Sequence, residues 1–195
     1  QKVLCGADII ARDGFDFKGK CGLITNQTGV LRDLTSTIDL LKGLCDLTVL
    51  FAPEHGVRGD KQAGTDVASY VDDATNLPVY SLYCEDTTEA QKALSTLDTV
   101  IFDIQDVGAR FYTYQYTMTD TMIFCKNHGI KFIVLDRPNP LGGITAEGTI
   151  LNREFSSFVG RFPTPTRSAL TIGEFASMMN ETENINCDLT VIKME

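Results

Sequence analysis

The sequence has no basic excess, no long apolar run, no CxxC pair, no glycine-rich dinucleotide signature and only two histidines. Each absence removes a class of function. Lys and Arg number 17 against 26 Asp and Glu, a formal net charge of −9. That sign argues against nucleic acid or an anionic membrane as a general partner, because both demand a basic surface. An acidic small ligand stays open, since a few local arginines can hold one. No stretch approaches the roughly 18 apolar residues that a spanning helix needs, so membrane insertion is not expected. The six cysteines, at 5, 21, 45, 84, 125 and 187, lack zinc-type spacing. Cys21, Cys45 and Cys125 fall inside apolar patterns and read as buried thiols. Gly22 and Gly29 have neither the spacing nor the placement of a dinucleotide fingerprint, and no cofactor is expected. The triplets Asn26-Gln27-Thr28 and Asn180-Glu181-Thr182 match the glycosylation pattern, a frequent chance match. The chain opens on Gln1, as a mature or trimmed product does.

What is present is an alternation. The 195 residues, 43% hydrophobic and 22% charged, suit one globular domain and the start of another. Residues 21–25, 47–51, 78–83, 99–104 and 131–135 read as strands. Residues 34–44, 88–96 and 112–128 read as helices, the last closed by Gly129. Strands apolar on both faces and separated by helices predict a mainly parallel sheet covered on both sides. The expected fold is therefore α/β, Rossmann-like and doubly wound, over residues 1–142. Residues 56–76 read as a long loop. From 143 the texture changes to Gly- and Pro-containing sequence. It is followed by a helix capped at Thr171, with Glu174 three residues on, and a strand at 189–194. This tail predicts a linker and an incomplete second α+β domain.

In such sheets ligands bind beyond the carboxyl ends of the strands. Asn26 follows the first strand. Glu54, His55 and Arg58 follow the second, in LFAPEHGVRGD, and Tyr83 and Cys84 close the third. The fourth ends in Asp103, Asp106 and Arg110, with Tyr112 beyond. Asp136, Arg137 and Asn139 follow the fifth. Two carboxylates around a cleft suit glycoside hydrolysis, one protonating the leaving oxygen and the other acting as nucleophile or activating water. Glu54 is the expected proton donor, because an apolar strand beneath and a fixed backbone around it favour the protonated form. The competing readings are structural. Glu54 could pair with Arg58, Asp106 with Arg110, and Arg137 with Asp136 or Asp103, while His55 could serve as a hydrogen-bonded support. A metal-dependent hydrolase using Glu54, His55, Asp103 and Asp136 is a weaker alternative, since one nearby histidine is thin for zinc.

The runs GLITNQTG, STIDLL, LFAPEHGVRGD, the Ala63-Gly64 pair, LPVYSLY, FDIQDVGARFYTY, LDRPNP, EGTIL and SFVGRFPTPTRSALTIGEFA occur in this order. The sequence from about Gly6 onward resembles the NamZ-type exo-β-N-acetylmuramidases of bacteria, long catalogued as a domain of unknown function. The resemblance implies release of N-acetylmuramic acid from the non-reducing end of peptidoglycan fragments, outside the cytoplasm. It implies a Rossmann-like domain and a smaller second domain with the active site between them, and it singles out Glu54. The sugar's lactyl carboxylate needs a cation, for which Arg58, Arg110, Arg137, Arg161 and Arg167 are candidates. Asp103, Asp106 and Glu147 stay open as the partner of Glu54, and the substrate's own acetamido group could assist. Family members are nearly twice as long, so a missing C-terminal domain is expected. A truncated, non-catalytic muropeptide-binding module is the alternative reading.

Overall fold

The computed structural model describes residues 3–59, 69–83 and 86–195. Cys84 and the Ala63-Gly64 pair lie outside the described residues. The chain forms α1 (Gly6–Asp13), β1 (Lys20–Thr25), α2 (Thr37–Leu44), β2 (Asp46–Ala52), β3 (Tyr70–Asp72) and β4 (Leu77–Ser81). It continues with α3 (Thr88–Leu94), β5 (Thr99–Asp103), α4 (Tyr114–His128), β6 (Lys131–Leu135), α5 (Ile172–Thr182) and β7 (Leu189–Ile192). The seven strands make one sheet in the order β3-β4-β2-β1-β5-β6-β7. All pairings are parallel except that of the short edge strand β3 with β4.

Strand periodicity builds the two layers. In β5, Val100 and Phe102 point to one face and Ile101 to the other, because successive side chains alternate. The first face packs Ile24, Phe51, Phe102, Phe132 and Val134 under α3, α4 and α5 through Leu94, Met118, Met122, Phe175 and Met179. The second packs Leu23, Leu50, Ile101 and Ile133 under Ile10 of α1 and Ile38 and Leu41 of α2. Every residue of β5 is buried, as a doubly covered parallel strand requires. No helix among the described residues is long and apolar enough to cross a membrane.

The domain boundary near 142 needs correction. β7 pairs in parallel with β6, Phe132 opposite Leu189 and Leu135 opposite Ile192, and α5 joins the core over the first face. The final helix and strand therefore complete the first sheet rather than begin a second domain. The segment 142–170 carries no strand and no α-helix. It folds back on the connection after β5 through backbone bridges of Arg167 with Ala109 and Glu147. Two elements escaped the sequence reading. α1 precedes the first expected strand, and β3 lies within the expected loop 56–76. At the open edge beyond β7, Leu4 and Glu195 exchange backbone hydrogen bonds of 2.7 and 3.0 Å.

Candidate active site

The topology reverses at β1, whose neighbours β2 and β5 lead to opposite edges of the sheet. The crevice outside such a switch point is where ligands bind in open α/β sheets. Thr25 and Asp103 stand opposite each other at the ends of β1 and β5, and the Thr25 hydroxyl donates to the Asp103 carbonyl at 2.8 Å. Beyond them Asn26 Oδ1 accepts from the backbone and hydroxyl of Thr28 at 2.9 and 2.5 Å. The Thr28 hydroxyl in turn accepts from Gln105 N at 2.9 Å. Asn26 is only 3% exposed, which closes its glycosylation triplet to a glycan. Its Nδ2 is buried without a hydrogen bond of ordinary geometry.

β2 ends at Ala52 and the chain turns at once. Gly56 N donates to the Pro53 carbonyl at 3.1 Å. His55 takes a left-handed φ of 74°, a conformation costly for any residue with a Cβ and concentrated at functional sites. This turn delivers Glu54 to the mouth of the sheet, where Glu54 Oε2 accepts from Thr113 Oγ1 at 2.8 Å. Tyr83, at the end of β4, faces the same carboxyl. Burial pushes its phenol up, and the charge of Glu54 and hydrogen bonding to it push further. The pairing of Glu54 with Arg58 does not form. Arg58 makes a two-pronged bridge of 3.0 and 2.9 Å to Asp72, tying the turn to β3.

The acids after β5 separate sharply. Asp103 is fully buried and clasped by Arg137, itself 6% exposed, through bonds of 2.6 and 2.9 Å. Thr37 donates to Asp103 at 2.5 Å, and Arg137 reaches the Val30 carbonyl at 2.9 Å. Asp103 and Arg137, expected among the catalytic and substrate-binding residues, are thus committed to each other in a closed, buried pair that ties the end of β5 to the end of β6. Asp136 is likewise committed. It accepts from Arg137 N, Thr171 Oγ1 and Gly173 N, anchoring the start of α5 to the end of β6. Asn139 donates to the Leu170 carbonyl and accepts from Leu141 N. A Cβ on Gly108 would lie 2.2 Å from the Asn139 amide oxygen, so this loop needs its glycine. Asp136 and Asn139 thus spend their side chains on the frame.

Asp106 differs. Its Oδ2 accepts from Gly108 N at 2.8 Å, while Oδ1 is buried without a partner among the described residues. Burial raises its carboxyl above the ordinary range, opposed by backbone donors at Gly108 and Val107. Burial together with an unspent oxygen makes Asp106 a candidate functional acid. The expected alternative, an ion pair with Arg110, does not form. Arg110 Nη1 instead donates to the carbonyls of Thr149 and Thr164 at 2.9 and 2.5 Å. Tyr112, 41% exposed, lies against Phe111 at the rim. Glu147 pairs with Arg167 at 2.7 Å.

Tyr114, which residue reading alone leaves among core or rim aromatics, lies within electrostatic reach of both Glu54 and Asp106. Burial pushes its phenol up, the Asn26 amide opposes that, and the charges of Glu54 and Asp106 both add to it. Glu54, Asp106, Asn26, Tyr83, Thr113 and Tyr114 thus share one neighbourhood at the switch point. Thr113 carried one legible signal, its place at the head of a long helix just after the Asp106–Arg110 run. Among the described residues no three His, Cys, Asp or Glu side chains converge. Asp103 and Asp136, half of the proposed metal set, are bound elsewhere.

Residues 21–195 match the family described as "Exo-beta-N-acetylmuramidase NamZ, N-terminal". The chain belongs to this family. As a NamZ-family domain it is 52% identical over 198 residues to the "Peptidoglycan beta-N-acetylmuramidase NamZ" of Bacillus subtilis, covering 100% of this chain and 48% of that protein. Two solved DUF1343 family proteins of Bacteroides fragilis resemble it. One has a TM-score of 0.87 at 40% identity over 99% of this chain and 50% of the other. The second has a TM-score of 0.82 at 32% identity over 100% of this chain and 52% of the other. The chain spans about half the length of the relatives it matches.

Proposed function

We propose that this NamZ-family domain carries the glycosidic chemistry of an exo-β-N-acetylmuramidase acting on peptidoglycan-derived amino sugars. One observation bears most of the weight: Glu54 just after β2 and Asp106 just after β5 flank the β1 switch point, Glu54 held at the head of α4 by Thr113 and Asp106 with one carboxyl oxygen buried and unpartnered among the described residues. In the proposed mechanism Glu54 protonates the leaving glycosidic oxygen. Asp106 faces the charge that develops at the anomeric carbon, directly or through the substrate's acetamido group. Arg110, whose Nε and Nη2 make no hydrogen bond among the described residues, receives the lactyl carboxylate. A planar fork suits that group. Tyr112 supplies an aromatic face at the rim. His55 holds the strained turn and Arg58 secures it through Asp72.

The relatives' additional length supports a second wall over this edge. Phe111, Ile144, Ile150 and Phe155 are exposed, apolar surface of the kind such a wall would cover. The test uses a chromogenic β-N-acetylmuramic acid glycoside and the chain continued to its relatives' length. Glu54→Gln is expected to lower turnover about 10²–10⁴-fold with binding retained. Turnover at the parent level would remove Glu54 from the chemistry. The half-length coverage favours one second reading, a muropeptide-binding module. Binding without turnover in the 195-residue chain, and still none after the second half is added, would establish that module instead.

A further inference from the structure

The N-terminus of α4 is built unlike those of α2 and α5. Ser36 caps α2 by accepting from Ile38 N, and Thr171 caps α5 by accepting from Glu174 N. Thr113 holds the corresponding position before α4 and is a residue type suited to the same bond. Yet its backbone is already helical, φ −83° and ψ −16°, and its side chain makes no capping bond. The hydroxyl is turned the other way, onto Glu54 Oε2 at 2.8 Å. Nor does the first turn of α4 carry an acid of its own. Glu54, arriving from β2, brings the negative charge that a helix N-terminus favours. Thr113 is 7% exposed, so water does not compete for the bond.

We infer that Thr113 is the positioning residue of this site. It gives up its helix cap to hold one oxygen of Glu54, with the positive end of α4 behind it and Tyr83 on the other flank. This inference rests on the reading of Glu54 as the proton-transfer residue. A carboxyl held through one oxygen keeps the other aimed at the cleft, where it gives up its proton, and such orientation acts on the transition state more than on binding.

The experiment measures kcat and KM on the chromogenic glycoside, with melting temperature as a folding control. Thr113→Val, which keeps the shape and deletes the hydroxyl, is expected to lower kcat roughly 10- to 100-fold, as loss of one hydrogen bond to a charged group does. KM should stay within about twofold, since ground-state binding is untouched. Thr113→Ser restores the hydroxyl and should recover most of the turnover. In the Glu54→Gln background Thr113→Val should cause no further loss, because its effect runs through Glu54. If valine disturbs the melting temperature, Thr113→Ala replaces it in the same comparison. If the double variant falls below detection, the valine–serine contrast decides. Valine at the parent kcat, serine as damaging as valine, or the same fold-loss in both backgrounds overturns the inference while leaving Glu54 in place. Parent turnover in Glu54→Gln instead brings down the reading beneath it.

Discussion

At the scale of single residues the chain sorts its acids by what they can reach. Asp103 and Asp106 sit three positions apart, and the sequence offers both as catalytic. What separates them is Arg137, 34 residues onward on a neighbouring strand end, a partner that no local pattern discloses. Glu54 was legible because its position depends only on where β2 stops. Replacing Arg137 with methionine strands the Asp103 carboxylate in a dry interior, and a broken buried pair costs about 3–5 kcal/mol. A urea titration should show that loss in the unfolding midpoint. Asp106 should behave in the opposite sense. Its folded carboxyl is raised above the ordinary 3.8, so the folded state holds that proton more tightly than the unfolded chain. The stabilisation it gives is complete below the unfolded value and is lost as pH rises through the folded one. Asp106→Asn is therefore expected to raise the melting temperature at pH 7, by about 2–4 °C for each ~1 kcal/mol gained. The gain should fade as the pH is taken down toward 3.8, and turnover should fall throughout. A melting temperature unchanged across that range would show that the acid is not strained by its site.

At the scale of elements, periodicity gave the five central strands and both faces of the sheet. It failed where pairing decides. β3 is three residues long and exists by hydrogen bonding to β4, so its own pattern carries almost no signal. β7 is half-buried at every position, without the continuous apolar run of β5. Following an irregular excursion, it looked like the start of something new. The tie that assigns it to the first sheet is at the head of α5. There Thr171 both accepts from Glu174 N and donates to Asp136 at 2.9 Å. Thr171→Ala removes a cap and leaves a buried acid short of one donor. The expected loss is about 1–2 kcal/mol, read by denaturant unfolding. Thr171→Ser should recover most of it, whereas equal losses would show that the hydroxyl is not what joins α5 to the sheet.

At the scale of the whole molecule, the proposed acidic sugar would meet a protein of net charge −9, so its attraction must be confined to a small area. Arg58, Arg137, Arg161 and Arg167 are each paired with a carboxylate, whereas Arg110 is held only by the carbonyls of Thr149 and Thr164 through Nη1 and keeps the rest of its fork for a ligand. Arg110→Gln is expected to raise KM for the muramic acid substrate about tenfold, for loss of roughly 1.4 kcal/mol of charge-assisted binding. It should have little effect on an analogue lacking the lactyl group; equal losses on both would assign Arg110 to holding the 142–170 excursion alone. The interior is similarly closed to reagents. Cys21, Cys125 and Cys187 are buried free thiols. Burial pushes Cys187 up to about 11 and Cys125 higher still. Because the thiolate is the reactive form, alkylation at pH 8 should spare these two in the native state and label them after denaturation, as peptide mass spectrometry will count. Finally, the hydrogen-bonded clasp between Leu4 and Glu195 places the two ends of the described fold side by side. Residues held together in this way can be joined by a short bridge without disturbing the strand order of the described fold. A permutant with new termini in the 142–170 excursion, its old ones bridged by a few residues, should therefore keep the same seven-stranded order.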